Sequence, residues 1–160
     1  MRWIKGTRPA SIDFISDYLI LHPNEKKEEI VANFKQVMEN LKDDFFLWIC
    51  LSDHIENEEP KLLAFILAYR SSEFGVFCPQ LVTTDKKNRL LMLKMAQKIY
   101  LWCEDKGFTE IYGQTQHNMK VLGRHWGIEE VSKIVRLKVN DKYLERLTAK
   151  LNQEYKHGRR

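Results

Sequence analysis

Cysteine is scarce, and its spacing carries no framework. Cys50, Cys78 and Cys103 are three in number and cannot all pair, and each sits inside an apolar pattern that reads as a buried free thiol. No CxxC pair and no HxxxH spacing occurs, so the usual ligand sets for structural zinc are missing and no metal site is expected. His54 with Glu56, Glu58 and Glu59 reads as a solvated hairpin tip closed by Pro60. Seven glycines and four prolines, never clustered, leave no low-complexity or disordered segment. No apolar run approaches the roughly 20 residues that span a bilayer, and the N-terminus lacks a charged-then-apolar leader pattern. A cytoplasmic protein with free thiols and no membrane partner is the expectation. Charge of one sign is lacking too. The formal net charge is +4, and most of that excess falls in residues 141–160, where Lys142, Arg146, Lys150, Lys156, Arg159 and Arg160 face only Asp141, Glu145 and Glu154. The near-neutral body argues against a dedicated nucleic-acid groove.

What is present is a chain with a core to bury. The 160 residues are 44% apolar, enough for one domain that removes roughly two thirds of its unfolded surface from water. Arg2–Thr7 reads as a short strand. Pro9-Ala10-Ser11 opens a helix with Ile12, Ile15 and Leu19 on one side, and Pro23 stops it. A second helix runs from about Glu25 to Leu41, with Ile30, Val31, Phe34, Val37, Met38 and Leu41 on its apolar face. Phe45–Leu51 (FFLWICL) is too continuously apolar for an exposed strand and predicts a central one, covered on both faces.

After the Ser52–Pro60 loop, Lys61–Arg70 and Gly75–Thr84 form two β-rich runs joined by Ser71-Ser72-Glu73-Phe74. A long helix pattern then extends to Lys106 and is closed by Gly107. A strand (Phe108–Gln114), a short helix ending at Gly127 and a last strand (Glu130–Val139) follow. The final 20 residues pattern as an amphipathic helix, with Tyr143, Leu147, Leu151 and Tyr155 recurring every four positions and Gly158 ending it. The fold class is α+β, a mixed sheet flanked by helices with an extra C-terminal helix. The domain boundaries read as 1–139 and 140–160.

This order of elements over residues 1–139 resembles the GCN5-related N-acetyltransferase (GNAT) fold. The resemblance implies that Phe77–Thr84, interrupted by Pro79, is the strand whose amides pair with the pantetheine of acetyl-CoA, here at Leu81, Val82 and Thr83. It also implies that the turn into the long helix cradles the pyrophosphate, because a helix N-terminus offers unpaired N–H groups and a positive dipole end. Counting back from Trp102 puts Lys87 at the Q/R position of the family's Q/R-x-x-G-x-G/A loop, and puts Leu90 and Met92 at its two glycine positions. Lys86, Lys87, Asn88, Arg89 and Leu90 would then meet the phosphates with side-chain charge and backbone amides instead of a glycine cradle. Anchoring the family's N-x-x-A-x-x-x-Y-x-x-x-G-F signature on Gly127 places Gln116 at the Asn position and Gly123 at the Tyr position. The acid that protonates the departing thiolate is therefore not where the family keeps it.

Tyr112 and Tyr69 are the other hydroxyl candidates, and Glu73 and Glu110 are the candidate general bases for an attacking amine. Two functions follow from the resemblance. One is an acyl-CoA-dependent N-acetyltransferase with a divergent cofactor loop, acting on a small-molecule or protein amine. The other is a non-catalytic GNAT-fold protein, such as a phage internal virion protein or an adaptor. Val82-Thr83-Thr84-Asp85 is similar to the step into the long helix of small GNAT-like phage proteins, which implies virion association. The narrow Tyr143–Leu147–Leu151 stripe either folds back on its own domain or pairs with a second copy or a partner through residues 141–155.

Overall fold

The computed structural model describes residues 1–53, 59–73, 75–84, 89–113, 129–131 and 134–157. Two compact units make up the chain: Met1–Tyr69 with Gln80–Lys86, and Arg70–Pro79 with Lys87–Arg160.

The first unit begins with strand β1 (Arg2–Lys5), helix α1 (Pro9–Ile15) and a tight 3-10 turn at Ser16–Tyr18. Pro9 suits the first helical turn, where its missing N–H is not needed. Helix α1 is shorter than the apolar spacing predicts. Ile12 and Ile15 are buried on it, while Leu19 lies past the 3-10 turn in extended backbone and still packs on the same core. Helix α2 (Lys27–Leu41) has no side-chain cap, and Glu28 and Glu29 complement the positive end of its dipole instead.

Strands β2 (Phe45–Leu51) and β3 (Leu62–Ser71) complete an antiparallel series with β1, in register from Arg2↔Leu51 to Lys5↔Trp48 and from Phe45↔Tyr69 to Cys50↔Ala64. The pairing slips by one residue between Cys50 and Leu51. As its composition predicts, β2 is buried along nearly its whole length. The core gathers Ile12, Ile15, Phe34 and Met38 from the helices against Phe45, Leu47, Ile49, Phe65 and Leu67 from the strands.

Strand β4 (Gly75–Thr83) gives its second half to this unit and its first half to the other. At its far end, Thr84 donates its N–H to Leu63 O at 2.9 Å, and its hydroxyl reaches the Leu62 and Leu63 carbonyls at 3.0 Å each.

In the second unit β4 pairs in parallel with β5 (Glu110–Gly113) through Val76↔Ile111, Phe77↔Tyr112 and Cys78↔Gly113. Strand β5 pairs antiparallel with β7 (Ile134–Lys138), and β7 with β6 (Glu129–Val131). The single last strand expected over Glu130–Val139 is thus a hairpin of two strands. Ser132 and Lys133, outside the described residues, carry no glycine or proline to mark a turn in the sequence. The strand expected from Phe108 starts later, at Glu110, because Phe108 belongs to the end of helix α3 (Arg89–Lys106). There Gly107 takes φ +72°, its N–H donates to Glu104 O at 3.1 Å, and the Phe108 N–H donates to Cys103 O at 2.8 Å. This is a Schellman cap, and the Phe108 ring packs at 5.7 Å from Trp102. The C-terminal helix α4 (Asp141–His157) buries Leu147 and Leu151 against Leu93 and Tyr100 of α3. At those two positions the apolar stripe is covered within the chain.

Candidate functional site

Strand β5 brings two of the sequence-selected residues together. Glu110 and Tyr112 are two residues apart and so share one face of the strand. The Tyr112 hydroxyl donates to Glu110 Oε2 at 2.6 Å, the short distance of a hydrogen bond to a carboxylate. The intervening Ile111 is buried on the opposite face. The local sequence EIYG thus sets an apolar residue inward and an acid–phenol pair outward, and ends the strand at Gly113. A Cβ on Gly113 would lie 3.0 Å from Cys78 O, so a side chain there would press directly on the β4 backbone.

Chemically the pair is one proton acceptor, one proton donor and a path between them. Glu73, the other candidate base, sits on the exposed β3–β4 turn, where its N–H donates to Ser71 Oγ at 3.2 Å. Tyr69 is half-buried, with its ring stacked on Phe45 at 6.5 Å, and burial raises its phenol above the ordinary tyrosine range. That environment suits packing rather than proton transfer.

On β4 the backbone decides what the strand offers. Pro79 has no N–H to donate. Just past the end of the strand, Thr84 donates its N–H to β3. Leu81 is exposed, Val82 packs on the first core, and the Thr83 hydroxyl faces Leu63 O at 3.5 Å. Lys86, Lys87, Asn88 and Gln116 lie outside the described residues. Arg89 opens α3, and Leu90, the next residue, packs against the α3–α4 cluster of Leu93, Tyr100, Leu147 and Leu151.

Sequence reasoning missed Gln80. A lone glutamine in a strand pattern carries no signal, yet its side chain is buried and its amide bonds both the N–H and the C=O of Ile20, each at 2.9 Å. Among the described residues no group of three or more His, Cys, Asp or Glu comes together to hold a metal, and no helix is long and apolar enough to cross a membrane.

No protein-family model matches the chain, and no curated protein matches it. Solved structures do. A GNAT-family acetyltransferase from Staphylococcus aureus Mu50 superposes with a TM-score of 0.62 at 12% identity, covering 87% of this chain and 99% of that one. The aminoglycoside 6'-N-acetyltransferase from Enterococcus faecium gives 0.56 at 13% identity, covering 88% and 98%. The NatC complex bound to Gag peptide and CoA gives 0.56 at 10% identity, covering 88% and 100%. At such identities the likeness is one of fold. The chain has the α+β GNAT fold, a mixed sheet flanked by helices, with an additional C-terminal helix.

Proposed function

We propose that this protein is an acyl-CoA-dependent N-acetyltransferase with a divergent pyrophosphate loop, acting on a small-molecule or protein amine. The observation that carries the reading is the 2.6 Å hydrogen bond from Tyr112 to Glu110, a proton donor and acceptor on the strand next to β4 in the ladder. The fold supports it, since neighbours of the same architecture are acetyltransferases and one of them is bound to CoA.

On this reading the acyl donor is an acyl-CoA. Its pantetheine chain is assigned to the β4 backbone at Leu81–Thr83. Leu90 packs on the α3–α4 cluster, so its side chain lies among apolar residues while its backbone stands in the first turn of the helix. In sequence the step into α3 carries Lys86, Lys87, Asn88 and Arg89, and the pyrophosphate is assigned to them. Gln116 keeps the amide of the Asn position it replaces. When bound, acetyl-CoA supplies an activated acyl group. With it bound, Glu110 would accept the proton lost by the amine and Tyr112 would offer its phenolic proton to the departing thiolate. Their shared hydrogen bond would then carry a proton from Glu110 back to the Tyr112 oxygen and restore both groups. Glu110 is preferred to Glu73 as base because it already has a donor to relay through. Three free thiols fit a reducing, cytoplasmic setting.

A second reading, a GNAT-fold protein without catalysis such as an internal virion protein or an adaptor, is favoured by Leu90 and Met92 at the glycine positions. Calorimetric titration with acetyl-CoA separates the two. Saturable binding is expected. The absence of heat at millimolar ligand, with no change in melting temperature, retires the enzyme reading.

A further inference from the structure

Gln80 is the only polar or charged residue among the buried ones described, at 5% exposure. Its side-chain amide acts as a peptide group would, with Oε1 accepting the Ile20 N–H and Nε2 donating to the Ile20 carbonyl, both at 2.9 Å. Ile20 sits in the connection between α1 and α2, just after the 3-10 turn, where Leu19 is extended at φ −63° and ψ 137°. Beyond it the chain makes its own turn. The His22 N–H donates to a Glu25 carboxylate oxygen at 2.7 Å, and the Glu25 N–H donates to His22 O at 3.0 Å. The side chains carried here are unusually apolar for an exposed connection, with Tyr18 46% and Ile20 50% exposed. One glutamine therefore holds an apolar surface segment against β4, sixty residues away in sequence.

The position of that glutamine on β4 gives the contact its meaning. Gln80 lies on β4 between Pro79, which has no N–H, and the exposed Leu81. We propose that Gln80 is a positioning residue that couples occupancy of the β4 backbone by a pantetheine chain to the ordering of the Leu19–His22 connection. The inference rests on the acyl-CoA reading above and deepens it. A ligand paired at Leu81 restrains the backbone on which Gln80 is mounted. Releasing Ile20 requires the Gln80 amide to leave both partners while buried, which an unmet polar group resists. Stiffening the base of the side chain suppresses that release, so the donor side of the reaction sets the connection in place.

The test is amide hydrogen exchange at Ile20 in the full chain, with and without saturating acetyl-CoA, alongside calorimetry on the same samples. In the wild type acetyl-CoA slows exchange at Ile20 by about tenfold, within the roughly 5–150-fold span of typical site-to-site coupling. Gln80→Met keeps the shape and loses both hydrogen bonds, so Ile20 exchanges quickly and acetyl-CoA no longer alters it. Gln80→Glu keeps an acceptor for the Ile20 N–H and restores part of the response. A purely structural contact would lower protection in Gln80→Met while leaving the ligand response in place, and that result overturns the coupling. Unchanged Ile20 exchange in wild-type protein that calorimetry shows to be loaded overturns it as well, without any variant having to fold. Failure of acetyl-CoA to bind at all removes the underlying reading and the coupling together.

Discussion

Tyr112 and Glu110 form a unit whose two halves are separable by mutation. Tyr112→Phe keeps the ring and deletes the proton, so turnover should fall by about a hundredfold or more, the usual worth of a positioned acid or base. Binding of acetyl-CoA should survive, and Glu110→Gln should behave alike. Steady-state kinetics with a panel of amines, read beside calorimetry, checks both. Cys103 offers a prediction of another kind. Burial, with a smaller contribution from Cys78, pushes its thiol up to about 12. Below the ordinary thiol range the folded and unfolded chains hold the same proton, and this group adds no pH dependence. Between about 9 and about 12 only the unfolded chain releases it, so stability falls with rising pH by roughly 1.4 kcal/mol per unit. Urea midpoints taken at pH 8 and pH 10 should therefore drop more steeply in the wild type than in Cys103→Ala. Gly6 is fixed by space. Its N–H donates to Leu47 O at 2.8 Å, and a Cβ would meet the fully buried Leu47 side chain at 2.5 Å. Gly6→Ala should cost about 1–3 kcal/mol in a denaturant titration, the range for overpacking a core.

Elements with one strong cause were legible in the sequence, and elements with two competing causes were not. The apolar run of β2 admits only a buried strand, and Gly107 after a long helix-patterned stretch admits only a helix end, which the Schellman bonds bear out. The hairpin of β6 and β7 was hidden because Ser132-Lys133 lacks the usual turn residues, and α1 ended early because Ser16–Tyr18 tightens while Leu19 still reaches the core. In the candidate site the residue types on β5 were readable, but their hydrogen bond was not, since periodicity gives a face and not a partner. Gln80 was invisible for the same reason: its partner is sixty residues away. The C-terminal helix was readable as amphipathic, while the face it covers, at Leu93 and Tyr100, came only with coordinates. The boundary between 1–139 and 140–160 stays a proposal, and the packing makes its own demand. Leu147 is 1% exposed, so Leu147→Ala should destabilise by about 2–5 kcal/mol. Removal of 141–160 should bare Leu93 and Tyr100 and lower the melting temperature further than that single change does.

At the scale of the molecule the question is how a nearly neutral body would hold a polyanionic donor. The excess positive charge sits in residues 141–160, so the charge available at the β4–α3 turn is local: Lys86, Lys87 and Arg89 against Asp85. Single ion contacts to a ligand in water are each worth little alone and are screened by salt. The backbone amides of β4 would have to supply the rest. Binding to the folded state alone stabilises by mass action, about 2.7 kcal/mol at a hundredfold excess over Kd, which for a chain of this size is a rise of roughly 5–10 °C in melting temperature. That rise should shrink as salt increases, and it should be largely lost in a Lys87→Ala, Arg89→Ala double variant. In Glu110→Gln, which alters proton transfer and leaves the donor's grip alone, it should persist. A shift that ignores both the salt and the double variant would place the donor's phosphates elsewhere on the fold. If the shift is missing in the wild type at millimolar acetyl-CoA, the chain keeps the architecture of the acetyltransferases without their cofactor, and the acid–phenol pair on β5 has no thioester to serve.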